Sequence, residues 1–329
     1  MFDLSKKSII LAAGGSGGHL FPAQALAEVL IVRGWTVFLI TDQRGLLLAK
    51  DFPTEIKRCV LNLRNPWSSG ISGFIISLYL MIKSLFVTIK FFRKEKVEIV
   101  VGFGGYPSFP AMLVANIFRI PNVIHEQNSI LGRVNYIFRN RVSILVFGIK
   151  PIKKFKQRVK ILFLGNPVRD AFLKQETVVF SDLSTKNFSI LVIGGSQGAS
   201  FISYAVCDAI LTLPAQLRNK IKISHQCREV DLAAVKKKYL NCGIEALTKT
   251  FFDDIADQMG AADLVISRAG ASTLAELCVL GKASILIPLP SAVGNHQAFN
   301  ATSLEREGGA FVMHQSNLEI KNLSMKISY

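Results

Sequence analysis

Short β-branched and aliphatic runs recur along the first half of the chain, at Ser8 to Ala13, Thr36 to Thr41, Glu98 to Gly102, Asn122 to His125 and Ile144 to Phe147, with helical segments between them. Strands that alternate with helices pair in parallel, so the pattern predicts a doubly wound α/β domain. It restarts near Asn187, where FSILVIGG leads into a glycine-rich stretch and a helical segment, followed by the strand-like runs IKISHQ, DLVISR and SILIPLP. A second α/β domain is therefore expected. Asn166 and Pro167, in LFLGNPVRD, interrupt regular structure between the two series. They place the boundary at Pro167 and give domains of 1–167 and 168–329.

One segment stands apart. Ile71 to Phe92 is the most apolar stretch, but Ser77, Lys83, Ser84, Thr88 and Lys90 interrupt it, which argues for a surface or interfacial helix over a membrane span. At about 100° per residue, Lys83, Lys90 and Lys94 fall within roughly 20° of one helical face, while Ile75, Ile82, Phe86 and Ile89 take other directions. Lysines beside an apolar wedge suit an anionic membrane surface, and FRNRVS and IKPIKKFKQRVK add further cations. The other reading is a buried core helix with solvated lysines.

With 329 residues, two domains can each bury a core, and 50% hydrophobic against 19% charged residues marks a globular chain. Lys and Arg exceed Asp and Glu by 39 to 23, which favours polyanionic partners: nucleic acid, anionic lipid or phosphorylated small molecules. No RRM, KH, zinc-finger or basic-zipper signature accompanies the charge, so nucleic acid is not an expected partner. Cys59, Cys207, Cys227, Cys242 and Cys278 are scattered and form no C-x-x-C pair, the pattern of free thiols in a reducing cytoplasm. The N-terminal apolar run is too short for a secretory signal.

Two glycine-rich strings follow strands: LAAGGSGGH, Leu11 to His19, and VIGGSQGAS, Val192 to Ser200. Such loops let backbone amides approach a phosphate at the positive end of a helix, although glycines serve tight turns and close packing equally well. Ligands of open α/β sheets sit beyond the carboxyl ends of the strands, so both loops are expected to line a cleft between the domains. Asp42, ending VFLIT, invites a dinucleotide-binding reading. The G-x-G-x-x-G spacing fails, however, at Leu20 in the first loop and at Ser196 in the second, and no P-loop string exists.

His19 is expected to open a helix, where the dipole disfavours its protonated form; it suits a general base, or else simply a packing histidine. HEQNSILGRVN gathers His125, Glu126, Gln127 and Asn128 after a strand, as sugar-binding or base-orienting groups or as helix caps. In SRAGASTLAEL, Thr273 and Glu276 have capping-box spacing; alternatively Glu276 accepts ribose hydroxyls while Arg268 faces a nucleotide. Gln297 and Asn300 share one helical face, where their amides can both donate to and accept from sugar hydroxyls.

Taken in order, GGSGGHLFPA, VGFGGYPS, IHEQNSILGRVN, GNPVR, VIGGSQGA, SRAGASTLAE and NHQAFNA resemble the MurG family of inverting glycosyltransferases. The resemblance covers both domains, from the loop of His19 to about Ala310. It implies the GT-B fold: two Rossmann-like parallel-sheet domains facing a cleft. It also implies transfer of N-acetylglucosamine from UDP-N-acetylglucosamine to an undecaprenyl-linked muramyl-pentapeptide at the cytoplasmic face of the inner membrane. By position, His19 is the expected base, and Ser16, Gly17 and Gly18 belong to its loop. Asn128, Arg169 and Ser196 are expected at the donor, and Phe252 reads uracil through its backbone. Ala271, Ser272, Thr273, Leu274, Ala275 and Glu276 form the nucleotide helix, beside Arg268, and Gln297 and Asn300 meet the sugar. Tyr106, His125 and Glu126 fall on the acceptor side. No cofactor is expected, and without a D-x-D string no metal is either.

Three departures stand out. Ser16 replaces a frequent threonine, Phe252 a common aliphatic residue, and the sequence ends at Tyr329 before most of the terminal helix that in the family returns to the first domain. A shortened end leaves a noncatalytic nucleotide-sugar-binding protein as the alternative.

Overall fold

The computed structural model describes residues 7–64, 70–151, 158–175, 187–194 and 199–328. The chain divides into two compact units, Met1–Asp170 and Ala171–Tyr329.

In the first unit, β1 (Ser8–Ala13), β2 (Thr36–Asp42), β3 (Lys57–Leu61), β4 (Ile99–Gly104), β5 (Asn122–Glu126), β6 (Ile144–Phe147) and β7 (Lys160–Phe163) form one sheet. Its order is β3-β2-β1-β4-β5-β6-β7, and every neighbouring pair is parallel. Helices α1 (Gly17–Val32), α2 (Gln43–Leu48), α3 (Gly70–Glu95), α4 (Ser108–Ile117) and α5 (Arg133–Phe138) connect the strands. β1 is buried along its whole length. Ile10 and Ala12 pack into a cluster with Phe38 and Met112 on one face, and Ile9, Leu11 and Ala13 pack with Leu20 and Phe103 on the other. A strand covered on both sides reads as a continuous apolar run, which is why SIILAA carries no alternation.

The short α6 (Asp170–Leu173) bridges the division. The second unit holds β8 (Phe188–Ile193), β9 (Ile221–Gln226), β10 (Glu245–Lys249), β11 (Leu264–Ser267), β12 (Ala283–Leu286) and β13 (Phe311–Val312), again all parallel, in the order β10-β9-β8-β11-β12-β13. Its helices are α7 (Ser200–Leu211), α8 (Ala215–Arg218), α9 (Glu229–Leu240), α10 (Ile255–Ala261), α11 (Ala271–Leu280), α12 (His296–Arg306) and α13 (Ile320–Ser328).

Each sheet reverses its strand order once, between β1 and β4 in the first unit and between β8 and β11 in the second. At such a switch the connections leave in opposite directions and open a crevice beyond the strand ends. The loops that follow β1, β4, β8 and β11 are the ones the sequence singles out.

Helix α3 is not a core helix. Among its described side chains Ser77, Ser84, Thr88 and Phe92 are buried, while Phe74, Ile75, Tyr79 and Phe86 are exposed at 49%, 62%, 62% and 69%. Its serines and threonine face the domain: Ser84 Oγ donates to the Asn62 carbonyl at 3.5 Å, and Thr88 Oγ1 turns back to the Ser84 carbonyl within the helix at 2.8 Å. Gly73–Glu95 is long and apolar enough to cross a membrane. The strands on either side of it, β3 and β4, nevertheless belong to one sheet, so both ends of α3 stay with the same domain.

Candidate active site

The first half-site begins where β1 stops. Gly14 donates its amide to the Gly104 carbonyl at 2.9 Å. A Cβ on Gly14 would lie 2.8 Å from the Gly105 α-carbon, so the loops after β1 and β4 touch backbone to backbone. Gly105, at φ +78°, also needs a conformation that side chains resist. These contacts account for Gly14 in GGSGGH and for Gly105 in VGFGGYPS. Ser16 then takes the N-cap position of α1 in extended conformation, exposed and with no side-chain capping bond. Gly17 makes room for the Phe21 ring, which a Cβ there would meet at 2.8 Å. The Arg169 guanidinium lies over that ring, 4.2 Å from its centroid. The structure thus gathers Ser16, Gly17, Gly18 and Arg169 around the first turn of α1.

His19 occupies the first turn of α1, and its Nδ1 is 2.9 Å from Gln127 Oε1. Gln127, fully buried, donates through Nε2 to the His125 carbonyl at 2.9 Å and to His125 Nδ1 at 3.2 Å. His125 Nε2 reaches the Gly165 carbonyl at 3.2 Å. Burial pulls the His125 pKa down to about 4, against a smaller raising effect of the Gly165 hydrogen bond, so the ring is neutral at physiological pH. Gly104 is small for the sake of His19, since its Cβ would sit 3.1 Å from the imidazole Cε1.

Glu126 is almost wholly buried and spends both oxygens on the loop that follows it. Oε1 accepts from the Asn128 amide and side chain at 3.2 and 3.1 Å, and Oε2 from the Gly132 amide and Asn135 Nδ2 at 2.8 and 2.9 Å. Its carboxylate shapes the loop bearing Asn128. Tyr106 is half-buried in the turn between β4 and α4.

In the second unit the glycine loop after β8, including Ser196, lies outside the described residues. The loop after β11 is fully described. α11 starts at Ala271, with Gly270 as an extended N-cap and no side chain capping it. Thr273 is therefore inside the helix, and the capping-box reading of Thr273 and Glu276 does not hold. Ala271 and Leu274 are buried, as is Glu276 at 7% exposure; Thr273 and Ala275 are half-buried. Ser272 Oγ is buried without a hydrogen-bond partner.

Arg268 faces its own domain. It donates to the Ile287 and Pro288 carbonyls at 3.0 and 3.2 Å and to Gln315 Oε1 at 2.9 Å, tying the end of β11 to that of β12. Asn300, fully buried, donates to the Ala269 carbonyl at 3.4 Å, which braces the loop entering α11. Gln297 Oε1 accepts the Leu289 amide at 2.9 Å, which points the amide oxygen inward. Phe252 is 1% exposed, so any reading of a base there falls to its backbone.

The sequence names Gln127 with its neighbours as a sugar-binding or base-orienting group, but not His19 as the residue it contacts. Alternation along β5 was the available signal, because it sets positions 125 and 127 on one side and 126 on the other.

Two parallel-sheet α/β domains, each with a glycine-rich sequence after the strand at which its sheet switches order and a histidine after the first, make up the GT-B class of glycosyltransferase. Family models agree: the glycosyltransferase family 28 N-terminal domain matches residues 9–144 and the C-terminal domain residues 189–329. The chain belongs to glycosyltransferase family 28, and its relatives lie among the UDP-N-acetylglucosamine--N-acetylmuramyl-(pentapeptide) pyrophosphoryl-undecaprenol N-acetylglucosamine transferases. It is 39% identical to that of Chelativorans sp. (strain BNC1), covering 97% of this chain and 85% of that protein. It is 40% identical to that of Caulobacter vibrioides, covering 95% and 87%. Its structure is similar to Acinetobacter baumannii MurG, with TM-score 0.74, 26% identity and coverage of 98% and 90%. The glycotransferase of kitacinnamycin shares the fold alone, with TM-score 0.70 at 13% identity over 98% of this chain and 90% of that one.

Proposed function

We infer that this enzyme moves N-acetylglucosamine from UDP-N-acetylglucosamine to undecaprenyl-diphosphoryl-N-acetylmuramyl-pentapeptide, the lipid I to lipid II step of peptidoglycan synthesis. What carries the reading is similarity to named transferases over nearly the whole chain, at 39% and 40% identity.

The reaction inverts the anomeric carbon: an acceptor hydroxyl loses its proton as it attacks from the face opposite departing UDP. His19 takes that proton. Negative charge accumulates on the diphosphate, which the glycine-loop amides, Ser196 and Arg169 neutralise. Glu276 accepts the ribose hydroxyls and the Phe252 backbone meets the uracil, while Ala271 to Ala275 present the start of α11 to the nucleotide. Gln297 retains its NH2 donors for a sugar hydroxyl. Asn300 positions the α11 loop through Ala269. Asn128 joins the donor, and Tyr106, His125 and Glu126 organise the acceptor side. Residues 1–167 thus take the acceptor and the membrane, and 168–329 the donor.

A lipid-linked acceptor and a water-soluble donor meet only at a membrane surface. We assign α3 to that contact, in peripheral association with the anionic cytoplasmic leaflet of the inner membrane. Phe74, Ile75, Tyr79 and Phe86 supply the exposed apolar surface, and Lys83, Lys90 and Lys94 are exposed beside them.

The test is turnover. Protein incubated with UDP-N-acetylglucosamine and the lipid-linked muramyl-pentapeptide should release UDP and form the disaccharide lipid. His19→Ala should lower kcat by roughly 100-fold or more with donor affinity retained. Donor binding with no turnover by the wild-type protein would make the chain a nucleotide-sugar binder and overturn the assignment.

A further inference from the structure

A histidine base has two ring nitrogens, and only the one without a proton can accept one. The hydrogen bonds around His19 leave no freedom in that choice. A carbonyl oxygen only accepts, so His125 Nε2 carries the proton it gives to Gly165. His125 Nδ1 is then a bare acceptor, and the Gln127 amide donates to it as well as to the His125 carbonyl. Rotating that amide by half a turn would set oxygen against oxygen at 2.9 Å, so Oε1 must be the atom facing His19. Since Oε1 only accepts, His19 Nδ1 carries a proton and Nε2 holds the lone pair.

We propose that Gln127 is a positioning residue that fixes His19 as the Nδ1–H tautomer and makes Nε2 the basic atom, through the chain Gly165–His125–Gln127–His19. The inference rests on the reading of His19 as base and names the atom that acts. It matters because a neutral imidazole in water prefers its proton on Nε2, the form in which Nε2 can only donate. Asn166 Nδ2 holds the Gln127 carbonyl at 3.1 Å, and Gly104 packs at the ring edge, so both ends of the link are anchored. The chain is also neutral. His125 stays uncharged above about pH 4, and an amide stands where many hydrolases and transferases set a carboxylate. Nothing in it stores the captured proton by ion pairing.

Nitrogen NMR on histidine-labelled wild-type protein at alkaline pH reads the tautomer directly, with His19→Gln assigning the signals. His19 should show a protonated Nδ1 and a bare Nε2. A protonated Nε2 would overturn the proposal whatever the catalytic role of His19. Gln127→Met keeps the volume and removes both hydrogen-bonding functions. It should shift the ring toward Nε2–H and lower kcat by about 10-fold or more, with KM for the UDP-sugar nearly unchanged. A Gln127→Met protein whose His19 remains Nδ1–H, or whose kcat is intact, would reduce Gln127 to packing. Full turnover by His19→Ala would instead sink the base assignment and leave the tautomer result standing.

Discussion

Glu276 changes meaning with the start of its helix. Its spacing from Thr273 matches a capping box, which would put the first turn at Thr273 and give the carboxylate a backbone amide to hold. The helix starts at Ala271 behind Gly270, so that amide belongs to an interior position and Glu276 lies on the second turn, 7% exposed. We expect Glu276→Ala to weaken UDP-sugar binding about 10-fold, near 1.4 kcal/mol, as lost ribose contacts would. Thr273→Ala should cost less than the ~1 kcal/mol typical of a cap. Calorimetric titration with the UDP-sugar, beside thermal unfolding, separates the two; unchanged donor affinity in Glu276→Ala would remove it from the site. Residues of this kind were legible where the signal is local. The place of His19 in the first turn of α1 was readable from the glycine loop before it. Arg268 was not, because its acceptors at Ile287, Pro288 and Gln315 are 19, 20 and 47 positions away.

At the scale of elements, the central strands were readable and the edges were not. The strands absent from the apolar pattern are β3, β7, β10 and β13, and each ends its sheet. An edge strand has one strand neighbour and less cover, so it need not be continuously apolar: EALTK in β10 alternates exposed and half-buried positions, and KILF in β7 buries none. Helix α3 was legible as a surface helix from the polar residues that interrupt its apolar run, and Ser77, Ser84 and Thr88 are, with Phe92, the described side chains it buries. Apolar residues left in water on a domain surface mark a contact site. Replacing Phe74 and Phe86 by serine should therefore leave thermal stability and UDP-sugar affinity unchanged and weaken sedimentation with anionic vesicles at least 10-fold, given roughly 1.5–3 kcal/mol for a fully buried large apolar side chain. A double variant that unfolds earlier would return α3 to the core; one that binds vesicles normally would move the contact elsewhere.

At the scale of the molecule, the charge is divided unevenly. Of the 39 Lys and Arg, 24 fall in residues 1–170 against 9 Asp and Glu, whereas residues 171–329 carry 15 against 14. Nearly all of the net +16 therefore belongs to the unit that carries α3. A nucleotide diphosphate needs only a few cations, so an excess of this size on the first unit fits an extended anionic surface better than it fits the donor. Such attraction is screened: the Debye length falls from about 10 Å at 0.1 M salt to about 3 Å at 1 M. Binding to anionic vesicles should consequently drop steeply with salt, down to a floor set by the apolar residues of α3, and binding to neutral vesicles should sit near that floor at every salt concentration. Changing Lys83, Lys90 and Lys94 to glutamine removes about 1 kcal/mol each, so low-salt affinity for anionic vesicles should fall by up to roughly 100-fold while UDP-sugar affinity stays put. Wild-type protein that ignores anionic vesicles at low salt, or binds them with no salt dependence, would show that the charge of this domain serves something other than a membrane.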